Sequence, residues 1–402
     1  MKIKIYISDI VMVLFFHISF ISMPYIQSYN LLKYAVAAIT AVFLLPKFKL
    51  FFRKKYKAVN ISLLVFLAVI IITSYINKNA ISSRNVFLAS IIYCIIILEG
   101  FLLFQYYEYK EKTNHLFKII FYLLLFYVII TDMLIFLKPG LFIQHEGYYF
   151  IGNKFTVAYT HIFLTILYWL LKSNRNSKLS LENKLSLFLM FCLTIFISIY
   201  INSGSGTVAS VFLILLMCFK GNMKKLMSNP ITPIASILVS CSFFFLFGSI
   251  LGTSIMRFIV VNVLGKDPTL TGRMIIYSNV ADILPGHIFT GYGHGSTYEV
   301  CMEAIGAPNT QNGLMEILTQ YGIFGVISFF VLTYMCFKNH KTSNINAAFP
   351  LVSMLYIYIL LASIEVTLSQ NFILVLGLVI LLFYNNGKNK TSHQENCNAR
   401  TN

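Results

Sequence analysis

Charge is scarce in this chain of 402 residues: only 11% are Asp, Glu, Lys or Arg, against 58% hydrophobic, and the mean hydropathy is +0.76. A soluble globular domain carries about 25% charged residues, so this chain lacks the polar coat of a water-facing surface. That excludes an ordinary soluble enzyme. Acidic residues are scarcer still, 14 against 31 basic, and tryptophan occurs once beside 37 Phe and 25 Tyr. So much apolar and aromatic surface excludes a disordered chain. Cysteine is present without a pattern. Cys94, Cys192, Cys218, Cys241 and Cys336 fall inside apolar runs, Cys397 sits near the C-terminus, and only Cys301 occupies a long loop, where outside labels are expected to reach it. An odd, scattered set with no CxxC indicates neither a disulfide framework nor a zinc site. No internal or inverted repeat is visible, which counts against a secondary transporter.

The chain does contain apolar runs, at about 7–23, 31–45, 58–76, 86–104, 116–137, 153–171, 185–201, 207–219, 234–251, 312–337, 347–366 and 371–384. Each meets or approaches the roughly 20 residues that cross a bilayer core as a helix, where backbone groups must pair internally. The fold class predicted is all-α: a polytopic integral membrane protein with about 12 transmembrane helices. The first run follows Lys2 and Lys4 as in a signal peptide, but no small-residue cleavage site comes after it, so it reads as the first span. With the N-terminus in the cytoplasm, Lys33, Lys78, Arg84, Lys138, Lys154, Arg257, Lys266 and Arg273 lie outside, and the remaining 23 basic residues (31 less these eight) lie inside. This is the positive-inside bias, and it puts both termini in the cytoplasm. The basic cluster at 47–57 and the net charge of +17 are therefore topology signals and imply no nucleic-acid partner. The organisation is a transmembrane unit over 1–384, with one large extracytoplasmic loop at 252–311 containing short helices, and a polar cytoplasmic tail over 385–402. Of the few acids in the apolar runs, Asp9, Glu99, Asp132 and Glu365 lie at or near span ends, where ionisation costs less.

Long loops are usually functional, and three pieces of this one carry chemistry. TLTGRMIIYSNVADILPG reads as a capped helix with Ile276, Val280, Ile283 and Leu284 on one face and Pro285-Gly286 as its stop. Arg273 falls in its first turn, either as a planar fork for phosphate oxygens beside the helix N-terminus or as a solvated surface arginine. Gly291, Gly293 and Gly295 alternate in HIFTGYGHGST, as in a ligand loop or a plain flexible turn. In APNTQNGLMEILTQYGIFG, Gln311, Asn312, Glu316 and Gln320 cluster where a helix re-enters the membrane, as a site or simply as the interface, and Gly322 and Gly325 suit close helix packing. Upstream, YYFIGNK places Asn153 and Lys154 at an outer span end, and NSGSGT at 202–207 separates two spans. Arg84 is either a flanking anchor or an anion contact.

In this order the pieces resemble the O-antigen ligase and Wzy-type polysaccharide polymerase superfamily of the bacterial inner membrane: Gly152-Asn153, Ser203 to Gly206, Thr271 to Arg273, Gly291 to Gly295 and Gln311 to Gly325. The resemblance covers roughly 148–337. It implies a multi-pass glycosyltransferase that joins oligosaccharide repeat units carried on undecaprenyl diphosphate, on the outer face of the membrane, into capsule or O-antigen. The diphosphate lipid is itself the activated leaving group, so no cofactor and no metal are implied; arginines neutralise it. A flippase and a chain-length regulator are the implied protein partners. Transfer to another acceptor by a ligase-like member, or a non-enzymatic flippase or exporter, are the alternatives. Two departures bear on chemistry. Gln311 stands where the family motif commonly begins with His, and Gln320 replaces its usual acid, so the general base is open among His294, Glu299, Glu303 and Asp282, or is dispensable. Ser205 or Gly206 occupies the place of an arginine in many relatives, which turns attention to Arg84 and Arg257. The site implied is thus Arg273, His294, Gln311 and Asn312 for catalysis. Arg84, Asn153, Lys154, Arg257, Gly291, Gly293, Gly295, Glu299 and Glu316 are implied for substrate binding.

Overall fold

The computed structural model describes residues 6–21, 23, 28–79, 81, 85–141, 148–173, 180–246, 276–277, 279–338 and 344–384. Arg84, Arg257, Arg273, the first part of the large loop and the tail 385–402 lie outside the described residues.

Every apolar run becomes a helix. The elements are α1 (Ile7–Phe20), α2 (Tyr29–Leu44, prolonged by a 3-10 stretch Leu45–Phe52), α3 (Lys57–Ile76), α4 (Val86–Tyr109) and α5 (Thr113–Leu137). They continue as α6 (Lys154–Lys172), α7 (Leu181–Tyr200), α8 (Gly204–Cys218), α9 (Gly221–Met227) and α10 (Ile231–Leu246). After the loop helix α11 (Thr297–Ile305) come α12 (Gly313–Lys338), α13 (Ile345–Leu361) and α14 (Gln370–Phe383). Among the described residues there is no strand, only a bridge between Tyr149 and Gly152. Seven helices (α2 with its extension, α3 to α7 and α12) are long and apolar enough to cross a bilayer alone, and α9 with α10 forms an eighth, bent by 76°. The protein is an all-α, multi-pass membrane protein.

The layering follows from where the chain is apolar all round. α14 is buried on every side from Phe372 to Phe383, and α13 is nearly so. These two helices are the centre of the bundle, which is why they can be as short as 17 and 14 residues. Small residues admit their neighbours: a Cβ on Gly377 would lie 3.2 Å from Phe101 and Phe104 of α4, and one on Gly100 would meet Leu374 at 2.4 Å. The rim helices α2, α5 and α7 bury only 28%, 33% and 28% of their spanning windows and present Leu, Ile and Phe outward.

Several polar side chains inside the bundle are paired, as an apolar solvent favours. Asn60 of α3 and Gln105 of α4 exchange reciprocal amide hydrogen bonds of 3.1 and 2.7 Å. His161 of α6, 2% exposed, lies 3.1 Å from Asp132 of α5. In the basic cluster, Arg53 and Lys55 both bind Glu108 at the end of α4.

One acid is placed differently from expectation. α4 runs on to Tyr109, so Glu99 is ten residues, about 15 Å along the helix, from the nearer end and not close to it. It is 5% exposed, and neither carboxylate oxygen has a hydrogen-bond partner among the described residues.

Candidate active site at one end of the bundle

The glycine turn is docked on a broken helix. α12 is interrupted at Gly322, whose φ of 64° and ψ of −166° only glycine adopts readily. The break frees backbone groups that a continuous helix would pair, and the turn takes them up. Tyr292 N–H donates to Thr319 O (2.9 Å), Gly293 N–H to Gln320 O (2.8 Å) and Ile323 N–H to Ile288 O (2.9 Å). The contact is backbone to backbone: a Cβ on Gly291 would sit 2.4 Å from the Gln320 carbonyl carbon, and one on Gly322 would sit 2.2 Å from that of Phe289. The close approach that the glycine spacing implies is therefore made to α12, and Gly322 marks a break where close helix packing was expected.

Docking also fixes the side chains. Gly295 N–H donates to Gln320 Oε1 (2.8 Å), and Gln320 Nε2 donates to Glu316 Oε1 (2.7 Å). Thr310 Oγ1 donates to the other Glu316 oxygen at 3.1 Å. His294 Nδ1 is 2.6 Å from the Tyr321 hydroxyl, its ring lies against Tyr93 with centroids 4.2 Å apart, and its N–H donates to Ser74 Oγ (2.9 Å). Glu299 lies in the first turn of α11, with Glu303 one turn on.

The QNG segment stands just before α12, not on it. Gln311 has φ +51°, its N–H donates to Asn309 Oδ1 (2.9 Å), and its carbonyl accepts from Tyr277 (2.9 Å). The same Tyr277 hydroxyl reaches Ser363 O at 2.9 Å, and Gly313 N–H donates to Ala362 O at 2.8 Å. The segment is thus tied to the 362–369 turn between α13 and α14. Asn312 is fully buried: its Oδ1 caps α12 through Leu314 and Met315 N–H (3.1 Å each), and its Nδ2 donates to Cys241 O of α10 (2.9 Å). Its side chain supports the segment and touches no cavity wall among those described.

The third contribution comes from α6. Gly152, at φ 116°, pairs with Tyr149 in a tight turn, and Asn153 caps the helix by accepting from Thr156 N–H at 3.0 Å. Lys154 follows in the first turn, with its ammonium 5.5 Å from the centre of the Phe155 ring. The SGSG segment lets α8 lie against α6: a Cβ on Gly206 would meet Ala158 at 2.5 Å, and Ser203 caps α8. Ser205 Oγ accepts from the Tyr159 hydroxyl at 3.4 Å.

The start of α6, the segment before α12 and the turn between α13 and α14 border a cavity of about 310 Å³ lined by Asn153, Asn309, Gln311, Glu365 and Asn371, with Tyr159 and Tyr358 among its other walls. A second, smaller cavity of about 60 Å³, reaching Phe20 and Phe163, shares Thr156, Tyr159, Tyr358 and Asn371 with it. Of the residues selected from sequence, Asn153 and Gln311 share this cavity. His294, Glu316 and the three glycines form the neighbouring network on α12 instead. Glu365 was missed: as an acid at a span end it gave no signal, because only folding brings it beside positions 153 and 311. Among the described residues no group of three His, Cys, Asp or Glu could hold a metal ion. Cys301 is wholly buried in α11 beside Ile283, correcting its expected accessibility; burial, with Glu316 nearby, pushes its thiol up to about 12.

Amides, hydroxyls and aromatic faces around one carboxylate suit a neutral polyhydroxylated ligand. The fold is that of a multi-pass membrane protein with a polar cavity at one end. Residues 187–330 match the family O-Antigen ligase (Wzy_C), a segment that runs from α7 through the SGSG segment and the docked glycine turn into α12. The match supports membership of the O-antigen ligase-like superfamily, Wzy-type polymerases included, and indicates a polysaccharide-related, glycosyl-transferring function. No curated protein matches the chain.

Proposed function

We propose that the protein polymerises undecaprenyl-diphosphate-linked oligosaccharide repeat units at the outer face of the bacterial cytoplasmic membrane, with both termini inside. The observation that carries this reading is the cavity shared by Asn153 and Gln311, from two separate motifs of the resemblance, whose wall is rich in amides and holds one carboxylate. A wall of amides and one carboxylate, with no cation, suits the sugars of an acceptor and not a diphosphate, so donor and acceptor take separate places. Arg273, with Arg84, Arg257 and Lys154, is proposed to hold the diphosphate, neutralising it as it leaves without a metal. The network of His294, Gln320 and Glu316 holds the segment before α12 in place. Gln311 in the place of the family's histidine favours a polymerase over a ligase.

Deleting the gene tests this in cells. Loss of long polysaccharide with accumulation of single-unit glycolipid on the outer leaflet is the expected outcome. Accumulation on the inner leaflet would make the protein a flippase. Accumulation of complete polymer still on its lipid would make it a ligase.

A further inference from the structure

We infer that Glu365 is the general base of this reaction and that the 310 Å³ cavity is the acceptor-sugar subsite; the inference rests on the glycosyl-transfer reading above. Among the twelve lining residues Glu365 is the one carboxylate. It is 9% exposed, and its backbone is held on both sides: Glu365 N–H donates to Leu361 O (2.8 Å), and Thr367 N–H donates to Glu365 O (3.0 Å). Thr367 Oγ1 further ties the turn to Tyr358 O at 2.6 Å. The Tyr159 hydroxyl shares the cavity wall with Glu365 and donates to Ser205 Oγ at 3.4 Å. A carboxylate carried on a turn that is tied at both sides stays aimed into the cavity, as a proton acceptor must. Glu316 is bonded to Thr310 and Gln320, and His294 to Tyr321, and neither these two nor Glu299, Glu303 and Asp282 line the cavity.

The step balances without a further reactant. The acceptor hydroxyl oxygen attacks the anomeric carbon of the donor sugar while its proton passes to Glu365. The bond from that carbon to the lipid diphosphate breaks, and its electron pair leaves with the diphosphate. Glu365 then releases the proton to water. Asn153, Asn309, Gln311 and Asn371 present amide donors and acceptors to the acceptor's remaining hydroxyls. Tyr159 is a positioning residue.

The test uses the full-length protein in proteoliposomes with lipid-linked repeat units, and wild type is measured first. Wild-type protein that forms no glycosidic bond refutes the glycosyl-transfer reading itself. With wild type active, Glu365→Gln is expected to lower kcat about 10²–10⁴-fold with donor KM and melting temperature unchanged, and to lose the acidic limb of the kcat/KM–pH profile. Glu365→Asp, which keeps the charge, should retain that limb and recover part of the rate. Tyr159→Phe should lower kcat less than Glu365→Gln does. Glu365→Gln within threefold of wild type, or Glu365→Asp and Glu365→Gln equally inactive and equally destabilised, would overturn the assignment.

Discussion

Replacing Gly322 by alanine attacks the contact on which this end of the bundle is organised. Its backbone conformation costs a residue with a side chain about 1–3 kcal/mol. The new methyl would stand 2.2 Å from both the carbonyl carbon and the oxygen of Phe289 and 2.5 Å from Thr290 N, all backbone atoms that no rotamer change can clear. The turn must then lift off α12, giving up the bonds from Tyr292, Gly293 and Ile323 (2.9, 2.8 and 2.9 Å), each contributing about 0.5–1.5 kcal/mol. The sum is about 2.5–7.5 kcal/mol. Two glycines calibrate it. Gly306 has φ +65° but nothing within 4 Å of a Cβ, so alanine there bears only left-handed strain, about 1–2 kcal/mol. Gly221 has neither a positive φ nor a neighbour, so alanine is neutral or slightly stabilising. Thermal unfolding in detergent, followed by thiol-reactive dye reaching the buried Cys94, Cys241 and Cys336, should rank the variants Gly221→Ala, Gly306→Ala, Gly322→Ala from most to least stable. Gly322→Ala melting with wild type, or no lower than Gly306→Ala, would refute the docked-turn account.

Four further outcomes are expected. Maleimide should leave Cys301 unmodified in the folded protein while labelling the exposed Cys192 and Cys218; with its thiol near 12, the thiolate fraction at pH 8 is on the order of 10⁻⁴, and rapid Cys301 labelling counted by mass spectrometry would contradict its burial. In a double-mutant cycle on Asn60 and Gln105, each leucine variant should cost about 1–3 kcal/mol by orphaning the partner amide, and the double variant less than the sum; strict additivity would mean the pair is not bonded. Glu99→Gln should raise the melting temperature or leave it unchanged and leave chain-length ladders intact, since an unpartnered buried carboxyl is a net cost; lost activity there would give the acid a functional part. Arg273→Ala should reduce polymerisation about ten- to a hundred-fold, the value of a charge-assisted contact of about 1.5–3 kcal/mol, with Arg273→Lys intermediate; full activity in the alanine variant would return Arg273 to a surface role.

The helices were legible because each apolar run carries its own length and hydrophobicity, and both read directly along the chain. The glycine turn was legible as a place of close approach, but its partner was not. A Gly-Ile-Phe-Gly spacing in an apolar helix looks like helix packing, and the break at Gly322 exists only because the turn is there to bond the freed backbone groups. Gln311 was grouped with Glu316 and Gln320 at the helix entrance, whereas Asn312 takes the cap and leaves Gln311 with a positive φ, lining the cavity. Glu365 escaped because its meaning depends on positions 153, 159 and 311, far off in the sequence. Glu99 was misplaced by five residues of polar-tipped helix, since Gln105 to Tyr109 continue α4 beyond its purely apolar part.

The central claim is that the protein links repeat units to one another, and it is tested most directly by reconstituting the purified chain alone in liposomes. Those liposomes would carry a single species of undecaprenyl-diphosphate-linked repeat unit. The account predicts a ladder of lipid-linked products spaced by one repeat unit, with one undecaprenyl diphosphate released per bond formed. Unconsumed substrate, or sugar transferred only when a different acceptor is supplied, would contradict it.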